Sequence, residues 1–150
     1  MEDDLLIAID GSAHSSRIVD VGIEIAKGLS LKILLVHVLK DFLDEPEGLR
    51  AYEKAEEYRD AYADYVQETG QQIIEEYTHK IEQSGVPFRS VTPTGNPAEE
   101  VLEFARVDKV RMVVIGMKGR HGIAHITSLG SVARRVVEHS PCPVVVVPSP

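Results

Sequence analysis

Basic residues are scarce in this chain. Lys and Arg number 16 against 24 Asp and Glu, giving a formal charge of −8. Binding to nucleic acid depends on neutralising phosphates with Lys and Arg, so no nucleic-acid partner is expected. There is one cysteine, Cys142. It builds no disulfide framework, which fits a reducing cytoplasm, and its place between two prolines suits a structural thiol. No apolar run approaches the roughly 20 residues of a membrane span, and the start Met-Glu-Asp-Asp has the wrong charge for a signal peptide. No membrane association is expected. Tryptophan is absent, and the tyrosines lie mainly on the second helix, read as away from the strand ends. A flavin held between aromatic rings is therefore not expected. The chain also lacks a Gly-x4-Gly-Lys-Ser/Thr loop, a Gly-x-Ser-x-Gly elbow and a Cys-x2-Cys pair.

What is present is an ordinary globular composition over 150 residues, 43% apolar and 27% charged, read as one α/β domain spanning 1–150. Short apolar runs at Leu5–Ile9, Leu31–Leu39 and Met112–Ile115 read as buried strands, and Val144–Val147 as a last apolar strand. Val86–Thr94, broken by Pro87 and Pro93, reads as an edge strand. Helical stripes separate these strands. The first contains Ile18, Val21, Ile25 and Leu29, is capped by Ser12, Ser15 or Ser16, and is stopped near Gly28. The second lies within Ala51–Ser84, with apolar residues at Val66, Ile73, Ile74, Tyr77 and Ile81, and ends at Gly85. Tyr52, Tyr58, Tyr62 and Tyr65 in its first half read either as a helix face or as a partner surface. The third begins at Asn96-Pro97, a cap followed by proline in the first turn, and the fourth begins near Ser131. Strict alternation implies a parallel sheet with helices on both faces.

The stretch Val113–Ser131 carries the chemistry. A buried run stops at Gly116, glycines recur at 119 and 122, and Gly130-Ser131 opens a helix. Such a junction presents unpaired N–H groups and a positive dipole end, and phosphates bind there. Lys118, Arg120, His121 and His125 add local positive charge to an acidic protein. Asp10-Gly11 ends the first strand in similar fashion, and the two polar strand ends would form one crevice if they were neighbours. His37 reads as a satisfied strand-end histidine. His121 and His125 lack a third ligand, so no metal site is assigned. No general base stands beside the loop, so no catalytic residue is assigned; slow hydrolysis of a bound nucleotide is the most that fits.

Four pieces in this order resemble the universal stress proteins. They are Ile7-Ala8-Ile9-Asp10-Gly11-Ser12, Leu34-Leu35-Val36-His37-Val38, the run Gly95 to Leu102, and the block Val114–Pro148. The resemblance implies five parallel strands in the order 3-2-1-4-5. It also implies an adenine nucleotide, ATP or a relative with Mg²⁺, bound by a pattern of Gly-x2-Gly, nine residues, then Gly-Ser/Thr. Here Gly116, Gly119 and Gly130-Ser131 match, with ten residues between Gly119 and Gly130. By resemblance, Ile9 and Asp10 face adenine and ribose, Val38 packs on adenine, Ile115 and Gly116 line the nucleotide, and Gly119, Gly130, Ser131 and Val132 hold phosphates and ribose. Arg111 stands where relatives usually carry Asp, at the opposite end of the sheet. The resemblance further implies a stress-response regulator that forms a homodimer through Val144–Val147. The alternative is a nucleotide-free dimer acting as an interaction module.

Overall fold

A computed structural model describes residues 4–40, 56–118 and 129–149. The elements are β1 (Asp4–Ile9), α1 (Ser15–Leu29), β2 (Lys32–His37), α2 (Glu56–Ser84), β3 (Phe88–Val91), α3 (Pro97–Val107), β4 (Met112–Gly116), α4 (Ser131–His139) and β5 (Val144–Val147). The strands form one parallel sheet in the order β3-β2-β1-β4-β5. β1 is central, and all six of its residues are buried. Leu5 and Ile7 face the cluster made with α1 and α2, and Leu6 and Ala8 face the one made with α3 and α4. The unbroken apolar runs follow from this, since a strand covered on both faces has no polar side to alternate with.

β3 lies at an edge, as its flanking prolines predict, and occupies only Phe88–Val91 within the longer predicted run. α1 departs from expectation at both ends. Its N-cap residue is His14, not a serine, and among the described residues no side chain caps it; instead Ser15 N–H donates 3.0 Å to the Ser12 carbonyl. It runs on through Gly28 to Leu29, and Ser30 takes the left-handed conformation that stops it (φ 56°). α3 starts as predicted, with the Asn96 side chain accepting 3.1 Å from Glu99 N–H. No helix among the described residues is long and apolar enough to cross a membrane.

Two consequences of this topology position the site. β1 pairs with β4 in the register Ile7↔Val114, so two residues further on Ile9 comes level with Gly116. The two glycine-marked strand ends are neighbours. The long helix α2 returns along α1, bringing its residues 73–80 against residues 11–20.

Candidate functional site

On the β1 side, Asp10 leaves the strand and Gly11 turns the chain with φ +79°, a left-handed value that favours glycine. A Cβ at Gly11 would also stand 2.7 Å from Ile73 Cδ1 of α2. The turn aims Asp10 back at the start of α1. Its Oδ1 accepts from Ser12 N–H at 2.9 Å and from the Ser15 hydroxyl at 3.2 Å, and Ser15 Oγ in turn accepts Gly11 N–H at 3.2 Å. Among the described residues nothing donates to Oδ2. Behind Asp10, His37 Nδ1 lies 3.1 Å from the Ile9 carbonyl. A carbonyl only accepts, so Nδ1 carries the proton and His37 is the satisfied strand-end histidine its setting suggested.

On the β4 side, Gly116 is buried and tightly faced. A Cβ there would stand 2.7 Å from Ile18 Cδ1 and 3.2 Å from His14 Cδ2. Met117 N–H donates 2.9 Å to Val147 O, and Gly130 N–H donates 2.8 Å to Met117 O, which carries the chain back beside the strand end and into α4. His14 Nε2 donates to the same Val147 carbonyl at 3.1 Å, while its Nδ1 is buried without a partner among the described residues. Gly130, not Ser131, is the N-cap of α4, and among the described residues no side chain caps this helix. Ser131 is its exposed first residue and Val132 is half-buried. The opening N–H groups of such a helix have no intrahelical acceptor and carry partial positive charge. The crevice therefore holds a negative acceptor at one wall and a cluster of donors at the other.

The candidate residues fall around this crevice as follows. Ile9 and Ile115 are 6% and 5% exposed, and pack on opposite faces of the sheet. Val38 is half-buried on the α3/α4 face, with Ile115. Asp10, Gly116, Gly130, Ser131 and Val132 lie at the carboxyl ends of β1 and β4 and the start of α4. Gly119 lies outside the described residues, with Arg120, His121, Gly122 and His125. Of the four tyrosines considered as a partner surface, Tyr65 is 64% exposed on α2; Tyr52 and the side chains of Tyr58 and Tyr62 lie outside what is described.

One reading needs correction. The tyrosines do not all stand away from the strand ends. Tyr77 is 6% exposed and its side chain lies near Ser15 and Asp10 at the crevice. Its phenol is raised above the usual value, first by burial, then by Glu76 and by the nearby Asp10 charge, while the neighbouring Ser15 hydroxyl pulls the other way. Ser15 itself is fully buried. The signal for Tyr77 was a tyrosine inside an apolar stripe, since a residue at such a position faces the core. Ser15 sits 62 positions away (77 − 15), and periodicity does not point to this meeting.

The sequence profile of the Universal stress protein family matches residues 1–148. The chain is 30% identical to Universal stress protein YxiE of Bacillus subtilis over 98% of this chain and 99% of that one. It is 31% identical to Universal stress protein MJ0531 of Methanocaldococcus jannaschii over 97% and 82%. Among solved structures, UspA of Lactobacillus plantarum is similar with TM-score 0.81 at 17% identity, over 98% and 99% of the two chains. A universal stress protein in complex with cAMP is similar at TM-score 0.67 and 23% identity, over 99% and 98%. An Arabidopsis thaliana family protein with AMP bound is similar at 0.65 and 19%, over 98% and 92%.

Proposed function

The chain belongs to the universal stress protein family, and from that membership we propose that it is a stress-response regulator that binds an adenine nucleotide in the crevice between β1, β4 and α4. The observation that carries the reading is the uncapped start of α4, beside Gly116 and across from an Asp10 oxygen that no described residue engages. Family structures with cAMP and AMP bound support an adenine ligand. In this reading Ile9, Asp10 and Val38 take the nucleoside, Ile115 and Gly116 line it, and Gly119, Gly130, Ser131 and Val132 take the phosphates. The opening N–H groups of α4 answer the negative charge of a phosphate, and Asp10 accepts from hydroxyl or amine hydrogens. ATP is the preferred form, with Mg²⁺ carried on its phosphates. Residues 1–150 act as one cytoplasmic domain, and hydrolysis is at most slow.

Acid extraction of freshly purified protein, followed by chromatography, tests the reading. A stoichiometric adenine nucleotide is the expected outcome. Titration with ATP and Mg²⁺ covers a ligand lost on purification, and no binding at millimolar ligand would end the nucleotide reading.

A homodimer through β5 belongs to the same proposal. β5 closes the strand order, and Val144, Val145 and Val146 are half-buried within one chain. A short apolar edge of this kind invites pairing with a second copy. Light scattering should give twice the chain mass, and a monomer at high concentration would refute it.

A further inference from the structure

We infer that His14 is a positioning residue for the phosphate end of the ligand: it holds the end of β5, and through it the start of α4, where an anion is met; the inference rests on the adenine-nucleotide reading of the crevice. The geometry is a chain of hydrogen bonds. His14 Nε2–H donates to the Val147 carbonyl at 3.1 Å. The same carbonyl accepts Met117 N–H at 2.9 Å, and the Met117 carbonyl accepts Gly130 N–H at 2.8 Å. Gly130 is the N-cap of α4. A side chain at the start of α1 is thus linked, through the ends of β5 and β4, to the helix start proposed to meet phosphate.

α1 is seated to make the first of these bonds. His14 and Ile18 are four apart, so they share one face of the helix start, and Ile18 N–H donates 3.2 Å to the His14 carbonyl. Both side chains lie over Gly116, where an added Cβ would stand 3.2 Å from His14 Cδ2 and 2.7 Å from Ile18 Cδ1. Gly116 pairs with Val147 in the sheet. The bare glycine therefore lets the imidazole pass over β4 and reach a carbonyl of β5.

Filling space over Gly116 does not explain the histidine. A carbonyl only accepts, so Nε2 carries the proton and the neutral ring is bare at Nδ1. That nitrogen is buried without a partner among the described residues. An unsatisfied buried acceptor is unfavourable. A leucine over Gly116 would exclude water as well and leave no orphan nitrogen. What the imidazole adds is a second donor on the Val147 carbonyl. With one donor on each lone pair, that carbonyl is fixed from α1 and from β4 together. The Met117 backbone cannot then shift without disturbing His14, and the start of α4 follows the Met117 carbonyl.

The test titrates ATP and adenosine separately into the full chain, His14→Leu and His14→Gln by calorimetry, with urea unfolding of each. Adenosine has no phosphate, so it does not report on the α4 wall. His14→Leu should weaken ATP by about fivefold and leave adenosine unchanged. Its urea midpoint should hold, because the orphan nitrogen leaves with the donor. His14→Gln carries an amide N–H about as far from the backbone as Nε2 and should restore most of the ATP affinity. If adenosine binds too weakly to titrate, the loss in His14→Leu against its return in His14→Gln decides. A spectroscopic readout needs no variant. In ¹⁵N spectra the imidazole linked through bonds to the His14 backbone should carry its proton on Nε2 and none on Nδ1, and Nε2 should move with ATP and not with adenosine. If His14→Leu does not fold, this spectrum decides. Unchanged ATP affinity in His14→Leu, an equal loss for adenosine, an equal loss in His14→Gln, or a lone proton on Nδ1 overturns the positioning role alone. A wild-type chain that binds neither ligand overturns the nucleotide reading, and this inference with it.

Discussion

Where the strands begin, Arg89 lies between two carboxylates, 3.2 Å from Asp4 and 2.8 Å from Asp108, and Asp108 raises the guanidinium above its usual range. Where the strands finish, Asp10 is held by an N–H and a hydroxyl, and the α4 N-terminus has no side-chain cap among the described residues. The first end answers charge with charge. The second holds a carboxylate with neutral dipoles and keeps one of its oxygens unengaged by any described residue. Both arrangements satisfy buried polar atoms, and only the second retains capacity for a ligand. An ion-paired carboxylate recognises little else, because a new donor would have to displace the cation first.

The sharpest way to break the contrast is Gly116→Val. Its Cβ would stand 2.7 Å from Ile18 Cδ1. We expect a loss of about 3 kcal/mol in urea unfolding, together with nucleotide binding, because the floor of the crevice must shift. Asp10→Ala acts on the ligand end alone. Affinity for ATP should fall about thirtyfold by calorimetry, roughly the worth of one hydrogen bond to a charged group, with a smaller loss of stability. Arg89→Met acts on the other end. It leaves Asp4, which is 8% exposed, without its cation. Arg89 is half exposed, so the expected cost is only about 1 kcal/mol, and ATP affinity should not change. Equal effects of this variant on binding would erase the distinction between the ends.

The smallest effect is one of pH. Tyr77 has a folded value raised above 10.0, so folding favours the neutral phenol. Its contribution is complete below pH 10 and is lost as pH rises through the folded value, because the unfolded chain releases that proton first. Urea midpoints of wild type should decline more steeply above pH 10 than those of Tyr77→Phe. Parallel curves would mean that the phenol is not held as described.

These two ends were not equally legible in the sequence. β1, β2 and β4 were readable because each is covered on both faces and shows as an apolar run. Pro87 and Pro93 marked β3 as an edge, since proline cannot donate to a neighbouring strand. Asn96 was readable as a cap because its partner is only three residues away. The stop of α1 was not. Gly28 drew attention as the conformationally freer residue, and Ser30 takes the left-handed turn instead. The Asp4–Arg89–Asp108 group and the approach of Tyr77 to Ser15 and Asp10 were hidden for one reason. Their members are distant along the chain and meet only after the crossovers are made. At the crevice, the glycines and Asp10 were visible as types. The resemblance placed β1 beside β4, and the sheet order bears it out.

That order also sets a timetable. β1, α1, β2, α2 and β3 leave the ribosome first, and they can already pair as β3-β2-β1. The other edge of β1, where Leu5 and Ile7 pair with β4, has to wait for Met112–Gly116. During that interval the central strand of the finished protein is an open apolar edge, the exposed state in which nascent chains aggregate. The crevice is among the last features to be made, because its donor wall lies more than 100 residues after Asp10. A half-made chain carries the aspartate and has nothing yet with which to hold a phosphate.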